Sequence, residues 1–581
     1  CARQRGMYVY LVIRGYRTFR EGDGIAKADQ LDRKAKPYGY FNPRLMDLQD
    51  EYIVEWLFNH RNPYTGLPNG LDPAVCMLEL INEDSLFFHP QGWTDFIEPY
   101  KTEFRNLWNE WLKEKYGDTK SLREAWSIAD GSWSALTENE SLEDNSVRIP
   151  DMKYRNPANI KPEQKGEPLS HPFRQSDGAR FAVHLQEKIF SRQRDLIRSN
   201  GSPIPVTAVV NSQNMADTFS VAQQLDYTGE NAYLDHPAFK AGEAWVGKSF
   251  HRNVNYLKET GPWSMGPFMA RYKWTDKPLV CREWTTSWPN SYRNSSSIAI
   301  ATQGLLQDYD ALIHFAYYTW KDHYACSAFG MQADPPRWGT FGYAADLFIN
   351  GRIEPHDQVV DIAFTNDDLY RWGYYTDRLH TLAWDARVRN NYFIGAVQSD
   401  ADVRVSSGRS GRGVFTGINN VLWDIRPERW QSGAGMDPKD SIFYNSGYRE
   451  PFMFEDNDYP TTSVKRAGFT PLLCNEGRCP AFYDPEHNNV VIRGLDSEKA
   501  AAAGRGLLYK LKNPEKPFSL KDAFEENYFS GKSVFHDPDE GVMIVNTPVF
   551  RTIQGEFDPG EKRNAGNLEA VIRSPIACIT A

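Results

Sequence analysis

The sequence predicts an α/β chain: a (β/α)8 TIM barrel lacking its first strands, followed by an all-β sandwich-like domain. Three observations point there. Apolar strand-like runs alternate with helix-like stretches as far as about residue 320. Two of these runs, Leu78-Glu79-Leu80-Ile81-Asn82-Glu83 and Val280-Cys281-Arg282-Glu283-Trp284, close on a carboxylate. Beyond about residue 350 the pattern changes to short alternating segments broken by Gly, Pro, Asn and Asp, as in 391–397, 414–423, 490–492 and 541–545. That is the pattern of an all-β region.

The first strand is expected over 7–14, where the apolar run Met7-Tyr-Val-Tyr-Leu-Val-Ile reaches Arg14. Asn42-Pro43 supplies an N-cap and a first-turn proline for a helix running to about residue 59, with Leu45, Leu48, Tyr52, Ile53 and Trp56 mostly three or four residues apart. The second strand follows over 74–81 and ends at Asn82-Glu83. A helix carrying Trp93, Phe96, Phe104, Leu107, Trp108 and Trp111 comes next, then a polar, Asn- and Pro-bearing excursion over about 130–172, and a further helix over 176–199. Strands over 206–211, 225–233, 279–283 and 312–320 complete six of eight. The chain meets its first strand with no helix before it and stops just after a strand-like stretch over 570–580, so it reads as part of a longer protein. The barrel is expected over 1–350, a connecting helical segment over 351–390, and the β domain over 391–581.

With 581 residues, 41% of them hydrophobic, the chain exceeds one ordinary domain. Its net charge of −10 includes no long block of one sign, which argues against nucleic acid as a partner. There is no apolar run long enough to span a membrane. Aromatic residues make up 14%, and flat rings with a polar edge suit apolar sugar faces as well as cores. Of the seven cysteines only Cys474 and Cys479 are close, enough for a small loop disulfide but a poor zinc site. The twelve histidines show no HxH or HExxH spacing, so neither a metal nor a cofactor is expected. The sequence leaves the oligomeric state open; a secreted or periplasmic location is the expectation.

In a parallel barrel the C-terminal strand ends surround one pocket, so Glu83 and Glu283 can serve one substrate. Paired carboxylates are what glycosidic cleavage needs. One glutamate after an apolar strand is more often a loop-start charge; two in strand order carry more weight. Trp284 and Trp288, on either side of the second carboxylate, divide between sugar platform and core, and Arg14 is a candidate for the pocket wall.

The strand-end Asn82-Glu83, Asn231-x-Tyr233, Glu283 and Trp320 together resemble clan A glycoside hydrolases, the retaining TIM-barrel group. Within it, Tyr40-Phe-Asn-Pro-Arg-Leu45, Asn62-Pro-Tyr-Thr-Gly66, Asp72-Pro-Ala-Val75, Asn82-Glu-Asp-Ser85 and Asp235-His-Pro237 resemble cellulase-family glycosylhydrolases of environmental bacteria. The resemblance covers about residues 5–325, with a further similar stretch at Asp537–Pro548. It implies that Glu83 is the general acid/base and Glu283 the nucleophile, that Asn82 bonds the sugar 2-hydroxyl, that Tyr233 holds the nucleophile and that Trp320 floors the subsite. Many relatives carry His where Asn231 stands. The resulting expectation is a retaining O-glycosidase acting on β-linked oligo- or polysaccharide. The alternatives are a non-catalytic carbohydrate-binding protein and a metal-dependent barrel hydrolase of the amidohydrolase kind.

Overall fold

The structure is a computed structural model. It describes most of residues 3–355 and 533–581, the longest omitted stretches being 151–167, 240–248 and 259–272; between 356 and 532 it describes Tyr370 and isolated strand segments. The chain divides into two compact units: Cys1–Gly229 with Asn366–Asp377 and Phe443–Arg449, and Glu230–Thr365 with Arg378–Ile442 and Glu450–Ala581. The division falls within the strand–helix alternation, not at its end near residue 350.

In the first unit, β1 (Val9–Val12) leads to α1 (Pro43–Val54), β2 (Val75–Glu79), α2 (Tyr100–Tyr116), α3 (Thr119–Ala125), α4 (Pro172–Ser199), β3 (Val206–Thr207) and α5 (Met215–Gln224). The strands form a parallel sheet in the order β1–β2–β3. Helix α1 starts where the sequence places it: the Asn42 side chain accepts from Leu45 N at 3.0 Å and Pro43 takes the first turn, where its missing N–H costs nothing. It buries Leu45, Met46, Leu48 and Ile53. Helix α2 buries Tyr100, Phe104, Trp108 and Leu112 at four-residue spacing. Phe104 meets Trp93, Phe96 and Phe181 in tilted or edge contacts at 5.1–5.3 Å. Much of the aromatic content is therefore core. Part of the expected excursion is pinned by a buried ion pair, Glu140 with Arg174, whose guanidinium lies over Trp126.

In the second unit, β4 (Thr228–Leu234), which begins at the division, is followed by the short antiparallel pair β5 (Ala238–Phe239) and β6 (Ser249–Phe250), then β7 (Leu279–Thr286), α6 (Ser296–Leu306), β8 (Ala311–His314) and α7 (Pro335–Ile349). Strands β4, β7 and β8 share a sheet in that order, with β7 and β8 parallel. Each of the six barrel strands read from the sequence is present.

One reading changes. The connecting segment over 351–390 was expected to be helical, yet it contains β9 (Val359–Phe364), which pairs in parallel with β10 (Phe393–Gln398) and with β12 (Gly413–Thr416); β11 (Arg404–Val405) lies between the latter two in sequence. A six-residue apolar run of this kind carries no period that separates strand from helix, and strand pairing decides it. The β region thus opens with a parallel sheet. Antiparallel pairing holds through β13 (Tyr459–Pro460), β14 (Thr470–Leu472), β15 (Arg478–Cys479), β16 (Ala481–Asp484) and β17 (Asn489–Ile492). It also holds through the four-stranded sheet of β18 (Val534–Asp537), β19 (Val542–Asn546), β20 (Arg551–Glu556) and β23 (Ile576–Thr580), with the hairpin β21 (Glu561–Ala565) and β22 (Leu568–Ile572). Val534, Val545 and Phe550 pack with Ile298, Ala301, Ala344 and Leu347 in one cluster, so this sheet shares a core with α6 and α7. The Cys474–Cys479 pair lies outside the described side chains.

Candidate active site

The backbone beyond β2 stays in the sheet: Leu80 N donates to Thr207 O at 2.8 Å and Val209 N to Ile81 O at 3.0 Å. Asn82 N then donates to Arg14 O at 3.1 Å, which sets the two predicted residues on neighbouring strand ends. The chain breaks at Glu83, whose φ of +51° lies in the left-handed region that a side chain with a Cβ enters at a cost.

Two buried cations hold this turn from below. Lys36 Nζ donates to the Asn82 carbonyl, and the Arg14 guanidinium donates to Gln49 Oε1 at 2.6 Å and to Lys36 O at 2.5 Å. Burial pulls the Arg14 pKa down, while Tyr40 and Asp84 oppose that. Tyr40 donates its hydroxyl to Asp84 O at 2.8 Å. A methyl group at Gly39 would stand 2.2 Å from Gln49 Nε2 and 2.8 Å from Arg14 Nη1, so this close approach requires glycine. Lys36 went unnoticed in the sequence because it sits in a non-periodic stretch far from Asn82.

The second carboxylate stands on β7, where every residue is buried. Tyr233, on β4, donates its hydroxyl to the Glu283 carboxylate, and the Arg282 guanidinium pairs with it. Adjacent strand residues normally face opposite ways, but the β7–β8 register shifts between Cys281 and Trp284, and such an irregularity re-aims side chains. Asn231, also on β4, is buried. Behind the strand, burial raises the Cys281 thiol well above its usual range, with Glu230 adding to it.

Trp284 is only 3% exposed and packs edge-on against His314 at 4.8 Å within the core, so its ring face is not offered to a ligand. Burial, and after it the Arg337 guanidinium, pushes His314 down to about 3, which leaves it neutral; its Nε2 lies 3.2 Å from Thr285 Oγ1. Trp288 is half-buried, and its backbone amide donates to Ala328 O at 2.9 Å. Trp320 lies outside the described residues. Arg337, buried and bound to Asp334 and to the carbonyls of residues 327–330, ties the start of α7 to the loop after β8, a role that no sequence motif announces. Among the described residues, no group of three or more His, Cys, Asp or Glu could hold a metal ion, and no helix is long and apolar enough to cross a membrane.

Residues 73–276 match the family model Glyco_hydro_42, described as beta-galactosidase. Over that span the chain is similar to this glycoside hydrolase family. The matched span takes in Asn82-Glu83 and Asn231-x-Tyr233 and stops short of Glu283. Among solved structures, the hydrolase is similar to a beta-galactosidase from the psychrophilic Marinomonas ef1, at 12% identity over 93% of this chain and 83% of that one, with a TM-score of 0.46. It is similar also to a beta-galactosidase from Bacillus circulans sp. alkalophilus, at 11% identity over 93% and 82%, with a TM-score of 0.48. Comparison with curated protein sequences gives no match. The hydrolase cleaves O-glycosyl bonds, and its substrate is a carbohydrate.

Proposed function

We propose that this hydrolase cleaves β-galactosidic bonds with retention of configuration, Glu283 acting as nucleophile and Glu83 as general acid/base. The observation that carries the reading is the pair of donors on Glu283. A nucleophilic carboxylate must be ionised and aimed, and a tyrosine hydroxyl and a guanidinium both favour the anion and fix its direction. The family model supports galactose as the sugar.

In the first step a Glu283 oxygen attacks the anomeric carbon while Glu83 gives its proton to the departing glycosidic oxygen. In the second, Glu83 takes a proton from water as that water's oxygen displaces Glu283 and restores the sugar hydroxyl. Asn82 is assigned to the sugar 2-hydroxyl, a bond that strengthens as charge develops at the ring. Tyr233 positions Glu283, with Asn231 beside it on β4, and Trp288 and Trp320 are assigned to the walls of the pocket; Arg14, a candidate for that wall in the sequence, instead supports the Asn82 turn through Gln49 and Lys36. In this reading the catalytic part of the chain ends near residue 350.

The test is proton NMR of the first-formed product from an aryl β-galactoside. The β-anomer should appear first and then mutarotate; the α-anomer first would rule out double displacement. Equal or better turnover of the aryl β-glucoside would remove galactose as the substrate while leaving the mechanism in place.

A further inference from the structure

Strand β8 ends beside the nucleophile, since Phe315 N donates to Trp284 O at 3.0 Å, one residue from Glu283. From there a run of rings leads outward. Tyr233, which holds Glu283, meets Phe315 at 6.1 Å and Phe329 at 5.2 Å, and the backbone of this loop is stitched by Ala316 N to Phe329 O and Gln332 N to Tyr317 O, both at 3.1 Å. Tyr317, two residues past Phe315, is 58% exposed and meets Trp338, itself 50% exposed, at 5.6 Å with 62° between the ring planes. Phe341 stacks behind Trp338 at 8°.

Scattered exposed aromatics need no explanation, but these two touch and form a corner. The corner is also rigid, because Arg337, next to Trp338, is buried and bonded to four carbonyls of the loop. Tyr317 thus follows by two residues the ring that meets Tyr233, at the end of the strand that abuts the nucleophile. Flat rings with a polar edge, fixed in place, suit the apolar face of a sugar at low entropic cost.

We propose that Tyr317 and Trp338 form an outer sugar-binding corner that holds a β-linked oligosaccharide beyond the residue being cleaved. The hydrolase then works on chains of several sugars and not only on disaccharides. This rests on the glycosidase reading of Glu283.

The experiment compares the full chain with Trp338→Ala, Trp338→Phe and Tyr317→Ala, using p-nitrophenyl β-galactoside and β-1,4-galactotetraose. In the alanine variants the ratio of kcat/KM for the tetraose to that for the aryl galactoside should fall about tenfold, carried in KM. Trp338→Phe should keep most of that ratio, which a merely structural role would not require. An unchanged ratio in both alanine variants overturns the corner. So does an unchanged ratio accompanied by a shift in sedimentation, which would assign the face to a second copy of the chain. If the wild type cleaves neither substrate, the proposed reaction fails, and calorimetry with the tetraose decides the corner separately: weaker binding by Trp338→Ala sustains it, and equal binding overturns it.

Discussion

At the Glu83 strand end the buried cations reach the backbone: Lys36 the Asn82 carbonyl and Arg14 the Lys36 carbonyl. At Glu283 the donors, Tyr233 and Arg282, reach the carboxylate itself. The backbones differ in the same sense. Glu283 sits inside an eight-residue strand that is buried throughout, whereas Glu83 sits in a left-handed turn just past the end of one, half-buried. A nucleophile must stay ionised, so donors on its oxygens help it. An acid/base must exchange a proton twice in each cycle, and support delivered through its backbone fixes its position without fixing its charge.

The largest expected effect breaks the nucleophile end. Glu283→Gln should lower kcat on any aryl galactoside by roughly 10⁴-fold or more, because the covalent step has no substitute there. Near wild-type turnover in this variant would falsify the assignment. Next comes the acid/base end. Glu83→Ala should lose roughly 10²- to 10⁴-fold on galactosides with poor leaving groups and far less on dinitrophenyl galactoside, with azide restoring turnover as galactosyl azide of retained configuration. Galactosyl azide of retained configuration from Glu283→Gln in its place would exchange the two roles.

Two milder changes sharpen the contrast between direct and indirect support. Tyr233→Phe removes one donor from the nucleophile and should cost about 10- to 100-fold in kcat. Lys36→Met acts one step removed and should cost about tenfold, with partial rescue in Lys36→Arg. A Lys36→Met loss equal to that of Glu83→Ala would mean that Lys36 touches the substrate.

The smallest effect is in stability. His314, behind the nucleophile strand, is held at about 3 by burial and by Arg337, while an unfolded imidazole titrates near 6.5. Between those values the unfolded chain binds the extra proton, so stability falls as pH drops below about 6.5. Thermal unfolding at pH 5 against pH 7.5 should show a loss of up to about 2 kcal/mol from this group, reduced in His314→Gln. An equal pH effect in both proteins would place the acid sensitivity elsewhere.

Local pattern carried much of the fold. The Asn42-Pro43 cap, the four-residue spacing of Phe104 and Trp108, and the apolar runs that became β1, β2, β4 and β7 needed only neighbours in the chain, because helix and strand periods are local properties. The strand runs were legible for the same reason, and with them Asn82, Glu83 and Glu283 as candidates, although β7 runs on to Thr286 and leaves Glu283 inside the strand. Segment 351–390 was misread where β9 lies, since its strand character depends on partners at 393–398 and 413–416.

By itself, then, the sequence determined which apolar runs carry Glu83 and Glu283 and what chemistry a pair of glutamates could do. Tertiary structure decided what surrounds them: that Lys36 reaches across 46 positions to Asn82, that Tyr233 reaches across 50 to Glu283, that Trp284 is core, and that Tyr317 and Trp338 meet at the surface. The reason is physical. Periodicity is written residue by residue, but hydrogen bonds to a carboxylate, the burial of a ring and the contact of two aromatics are made between segments far apart in the chain, and only folding sets their distances.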